Sequence, residues 1–159
     1  MRRLGIATVV MVGLVCAGGS AQSANDEQQL AGLVTKWAAA RNANDAEQMR
    51  ALFHPQVDHV RVTTGEVIAT DADQLVGWFA TGFKGDGKGT TVQVSRQRAR
   101  ALSPTLGVVD YAMTMARPDG SRLLSTAVTF FCARQGSEWK VAAVRFGSPV
   151  DPALDPAPK

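Results

Sequence analysis

The sequence predicts an α+β domain in which a cone-shaped, strongly curved antiparallel sheet packs on three helices lying in the N-terminal half. Three observations predict it. Apolar residues recur at helical spacing only before Lys84, and after Thr90 the chain reads as four long runs rich in β-branched residues joined by short turn signals. With 159 residues, 45% hydrophobic and 19% charged, the chain holds enough apolar material for one core and too little length for two.

Residues 1–24 read as an export signal. Arg2 and Arg3 form a positive start, Leu4 to Ala17 an apolar stretch, and GGSAQSA supplies the small residues that precede cleavage, at Gly19/Ala21 or Ala21/Ser23. The apolar stretch is shorter than the ~20 residues a spanning helix needs. No stable membrane insertion is therefore expected after cleavage, and the expected destination is periplasmic or secreted. Loss of Arg2 and Arg3 takes the formal net charge from +3 to +1, which gives no support to nucleic acid as a partner. Cys16 leaves with the leader, so Cys132 stands alone and an internal disulfide is excluded. In the apolar run AVTFFCA it reads as a buried, inert thiol.

The folded domain is expected over residues 25–147. Its first helix carries the stripe Leu30, Leu33, Val34, Trp37 and Ala40 and stops around Asn42 to Asn44. Asp45 caps a short second helix with Gln48 three residues on, Ala46, Met49, Leu52 and Phe53 line its buried side, and Pro55 ends it. VDHVRVTT reads as a strand, with Gly65 turning it into a short partner, GEVIAT. Thr70 and Asp73 frame the start of a third helix with the apolar face Leu75, Val76, Phe79 and Phe83, broken by GFKGDGKGT. The glycine loop is not a phosphate-binding loop, because it follows a helix and enters a strand, and Gly89 stands where a hydroxyl residue is required.

The four strands that follow are TTVQVSRQRARA, LGVVDYAMTMA, RLLSTAVTFFCAR and EWKVAAVRFG. Alternation puts Val109, Tyr111, Met113 and Met115 on one face of the second of these, and Arg96, Arg98 and Arg100 on the outer face of the first. The tail, residues 148–159, holds four of the seven prolines and is expected to be a flexible extension. Helices closing one end of a bent sheet leave an apolar pocket between the two layers.

VTKWAAARNANDAEQMRALFHP and EWKVAAVRFG resemble the opening and closing segments of the nuclear transport factor 2-like superfamily, in its SnoaL-like branch of domains without assigned activity. The superfamily also holds ketosteroid isomerases, SnoaL-type cyclases and limonene epoxide hydrolases. The resemblance spans Leu30 to Gly147 and implies a pocket and, commonly, a homodimer formed through the sheet. In the register it implies, Trp37 stands where the isomerase has its tyrosine, Arg61 where it has its base aspartate, and Thr129 near its oxyanion-holding acid. An arginine is no base near neutral pH, so steroid isomerisation by that mechanism is not expected. For the hydrolase, Asp58 and Asp110 are the available acids beside Arg61, but alternation turns both away from it.

The expected pocket-lining residues are Trp37, His59, Arg61, Tyr111 and Thr129. Family register turns His59 and Arg61 into the cavity, whereas local alternation makes Val60 and Val62 the buried pair and sends both outward. The expected function is binding of a small, largely apolar molecule. The alternatives are an isomerase, cyclase or hydrolase with His59 as acid or base and Arg61 as electrostatic stabiliser, or a non-catalytic dimerisation module. His54 reads as the partner of a helix C-terminus, and Trp78 and Trp139 as core or interface aromatics. No cofactor is implied, and two histidines without an acidic cluster at ligand spacing point to no metal.

Overall fold

The computed structural model describes residues 18–149 except Asp86, with side chains over 22–147. Of the expected leader only residues 18–24 fall within that range, and of the expected tail only 148–149. The elements are α1 (Gly18–Asn42), α2 (Ala46–Arg50), β1 (Phe53–Arg61), β2 (Glu66–Ala69), α3 (Ala72–Lys84), β3 (Thr91–Ala101), β4 (Leu106–Ala116), β5 (Arg122–Gln135) and β6 (Glu138–Pro149). They form a six-stranded sheet in the order β2-β1-β6-β5-β4-β3. Neighbours pair antiparallel except β1 and β6, which run parallel. Ladder irregularities at Ser95/Arg98, Met115/Ala116, Thr126/Val128 and Phe131/Cys132 bend the long strands, as bulges do, and give the sheet its curvature.

The strand bounds after Thr91 follow the expected ones closely, and the structure departs from expectation at three points. The second helix ends at Arg50, and Phe53, His54 and Pro55 belong to β1. Pro55 is tolerated there because the β1–β6 register jumps from Phe53 to Asp58, so the ladder asks no N–H of it. His54 accordingly serves no helix end, and its Nδ1 accepts from the Gln56 N–H at 3.2 Å. The cap of α3 is Asp71, whose Oδ1 accepts from the Gln74 N–H at 2.8 Å, one residue beyond Thr70. Finally, Arg96 takes a positive φ of 53° inside the β3 bulge, so it does not continue the alternation of Arg98 and Arg100.

α1 lies across the inner face of the sheet with Leu30, Leu33, Val34, Trp37 and Ala40 buried, which is the predicted stripe. Two polar ties fix it. Near its start Asp26 pairs with Arg134, whose guanidinium carbon sits 4.6 Å from the Trp139 ring centroid. At its end Asn42 behaves like a strand residue: its Oδ1 accepts from the Val92 N–H at 2.7 Å and its Nδ2 donates to the Val92 carbonyl at 2.9 Å. Val109, Tyr111 and Met113 pack inward beside Val128, Phe130 and Cys132. Burial pushes the Cys132 thiol up to about 12, which keeps it protonated near neutral pH. Among the described residues no helix is long and apolar enough to cross a membrane.

Candidate functional site

Between α1, α3 and the inner face of the sheet lies a cavity of about 450 Å³, open on one side. Each layer contributes to its wall for a local reason. α1 delivers Trp37 and, one turn later on the same face, Arg41. α3 delivers Trp78, Phe79 and Phe83, and the glycine loop after it closes the rim through Gly85 and Gly87. Met113 and Met115 form the floor on β4, with Leu123 of β5 and Phe146 of β6 beside them. The loop folds back tightly: the Gly87 N–H bonds the Gly82 carbonyl at 2.9 Å, and a Cβ on Gly87 would stand 2.7 Å from that same oxygen. Glycine is therefore required at this close approach.

The five residues expected to line the pocket do not converge. Trp37 does line it, buried to 3% exposure and packed edge-on against Phe79 at 6.5 Å between centroids. Tyr111 sits one layer deeper, 6.0 Å from Trp37 and 5.1 Å from Phe130, with its hydroxyl buried and unpartnered. His59 turns inward, as the family register implies and against local alternation, and is only 2% exposed. It stands behind the wall, with Trp78 at 5.5 Å and Phe146 at 5.2 Å. Its burial, with Arg61 and then Arg145 adding repulsion, pulls the imidazole pKa down from 6.5 to about 4, so the ring is neutral near pH 7.

Arg61 and Thr129, both expected in the pocket, lie outside it. Arg61 ends β1 where the sheet runs out into solvent, and its guanidinium pairs with Glu66 across the hairpin at 2.5 Å. Thr129 alternates with the buried Val128 and Phe130 and so faces outward, where its hydroxyl donates to Asp110 Oδ1 at 2.7 Å. The other acid weighed for a hydrolase, Asp58, is also outside, held by both terminal nitrogens of Arg145 at 2.8 and 2.9 Å.

Of the wall residues outside the expected set, two stand out. Trp78 is read from the sequence as a core or interface aromatic, yet it is 44% exposed at the cavity. Arg41 is the more informative. It is 5% exposed, its Nη2 donates to Thr90 Oγ1 at 2.8 Å, and its guanidinium carbon lies 4.8 Å from the Phe83 ring centroid. Its Nη1 is buried without a hydrogen-bond partner. A signal for it does exist, since the spacing Trp37 to Arg41 continues the apolar stripe by one helical turn.

The architecture of a bent sheet closed by N-terminal helices over an aromatic hollow can now be set beside known proteins. The family described as "NTF2-like protein (DUF6841)" matches residues 26–148. This chain belongs to that NTF2-like family. No curated protein shows a match. Among solved structures, a domain of unknown function with a cystatin-like fold from Nostoc punctiforme superposes with a TM-score of 0.72 at 13% identity, covering 82% of this chain and 81% of that one. A protein of unknown function from Mycobacterium tuberculosis gives 0.73 at 14%, covering 89% and 82%. An uncharacterized cystatin-like-fold protein from Caulobacter vibrioides gives 0.64 at 22%, covering 81% and 94%. These similarities establish the NTF2-like fold alone, because that fold hosts unrelated activities.

Proposed function

We propose that this NTF2-like chain is an exported binding protein that holds a small, largely apolar molecule in the cavity beside Trp37. The cavity itself carries the reading: about 450 Å³ walled by aromatic rings and methionine side chains, with Arg41 as the one charged group among the described lining residues. That volume lies within the roughly 300–1,000 Å³ of small-molecule sites, whose walls are mostly apolar with few polar groups. Native mass spectrometry of protein purified from the host's envelope tests it. A small molecule retained by the wild type and lost on Trp37→Ala is the expected result, and an empty protein in every preparation overturns the reading. Export rests on the pattern of residues 1–24, and N-terminal sequencing of the recovered protein should find a start near Gln22 or Ala24.

An enzymatic reading is favoured by one observation, the buried, unpartnered Nδ1 of His59 behind two cavity walls. A neutral imidazole there is chemically able to accept a proton if the Trp78 ring swings aside. Under this reading the molecule recovered with His59→Ala differs in structure from that recovered with the wild type. Under simple binding the two are identical. Pairing of two copies through the outer sheet face is favoured by Phe131, which is 45% exposed on that face, and light scattering of wild type against Phe131→Asp checks it.

A further inference from the structure

We propose that the molecule held in the cavity is an amphipathic anion, an apolar body bearing one carboxylate or an equivalent oxyanion, and that Arg41 recognises its charged end. This rests on the reading of the cavity as a binding site and adds the chemical class of what it binds.

A guanidinium carries five N–H donors in a fixed planar fork. At Arg41 the fork is held in place on one side only. Nη2 donates to Thr90 Oγ1 at 2.8 Å, and that hydroxyl is fixed in turn by donating to the Gly87 carbonyl at 2.7 Å. The Phe83 ring lies against the guanidinium at 4.8 Å. The other terminal nitrogen, Nη1, has no partner and is shielded from water. No carboxylate among the described residues forms an ion pair with Arg41. Elsewhere in the fold buried or half-buried arginines are matched: Arg134 has Asp26, and Arg145 has Asp58 on both terminal nitrogens.

A purely structural arginine would be expected to follow that pattern, since an unpaired charge away from water is costly. Burial alone already depresses the Arg41 pKa, with no anion among the described residues to offset it. What satisfies such a group is an oxyanion supplied from outside, and the apolar cavity that Arg41 helps to line opens beside it. Access to Nη1 requires a turn of the guanidinium or of the half-buried Phe83 ring, both of which belong to that wall. The rest of the wall selects the other end of the molecule, because Trp37, Trp78, Phe79 and Met113 offer it mainly apolar and aromatic surface.

A matched probe pair tests this by isothermal titration of the purified chain: naphthalene-2-acetate and its neutral analogue naphthalene-2-acetamide. The acetate is expected to bind at least about tenfold more tightly, as a charge-assisted hydrogen bond in a shielded site implies. Arg41→Met should abolish the preference for the acetate over the amide, whereas Arg41→Lys should keep part of it. Equal affinity of the wild type for both probes overturns the assignment to Arg41 and leaves the apolar cavity standing. A preference that survives Arg41→Met overturns it too. Binding of neither probe removes the cavity reading itself, and the proposal with it. The wild-type ratio needs no variant to fold, so the result does not depend on the tolerance of position 41.

Discussion

A buried cation that is half unsatisfied should weaken the fold it sits in, and at Arg41 that cost can be separated from any gain in binding. Methionine keeps the apolar stem and removes the charge, while Thr90 retains its bond to the Gly87 carbonyl. Replacing an uncompensated buried charge by an apolar group of similar length is commonly neutral or stabilising. The melting temperature of Arg41→Met should therefore equal or exceed that of the wild type, as thermal denaturation followed by circular dichroism would show; a large drop would mean that the arginine serves the fold. His59 works through pH. Its folded pKa, near 4, lies below the 6.5 of a free imidazole, so below pH 6.5 the unfolded chain takes up the proton first. Stability is full above pH 6.5 and falls as pH drops towards 4. The loss attributable to His59 is about 2–3 kcal/mol at pH 4.5. Urea denaturation at pH 7.5 and 4.5 should show His59→Phe losing that much less than the wild type. Neither residue's role is fully legible in the sequence. Strand alternation gives His59 the wrong face, because Val60 and Val62 look like the buried pair while Val62 is in fact 55% exposed where the strand runs out. Arg41 is hidden by its charge on a stripe otherwise read for apolar residues.

The elements read best where the chain punctuates itself. Gly, Pro and Ser clusters bound the last four strands, and their predicted limits fall within a residue or two of the observed ones. The α2–β1 junction reads poorly because Pro55 signals a helix stop, whereas it sits in a stretch of β1 that the ladder skips. α3 links this scale to the cavity, since one short helix carries Trp78, Phe79 and Phe83 to the wall. Its first turn depends on Asp71, with Oδ1 accepting from the Gln74 N–H at 2.8 Å and Oδ2 from the Gln74 side-chain amide at 2.6 Å. Asp71→Ala should cost about 1 kcal/mol in chemical denaturation, the usual value of a lost cap. It should also weaken capture of naphthalene-2-acetamide more than that stability loss alone would, because the helix that frays is a wall. Unchanged affinity would separate the cap from the cavity.

For the whole molecule, the fold class, the order of elements and the inward face of β4 are all legible, because each rests on periodicity that one chain displays by itself. Convergence on a site is not, because it depends on where a strand ends and which way a bulge turns it. The sheet order carries a consequence of its own. β6 is the last strand in chain order among the described residues and yet lies between β5 and β1, so the hairpin of β1 and β2 has no strand to pair with until Glu138–Pro149 has been synthesised. A chain ending at Ser137 should show no cooperative unfolding transition, since it lacks an interior strand and Phe146 as well. The twelve residues of β6 thus act as a latch, since only they join the β1–β2 hairpin to the ladder of β5, β4 and β3. A frameshift just ahead of Glu138 would therefore leave the sheet in two unjoined pieces, however correctly everything before it had been read.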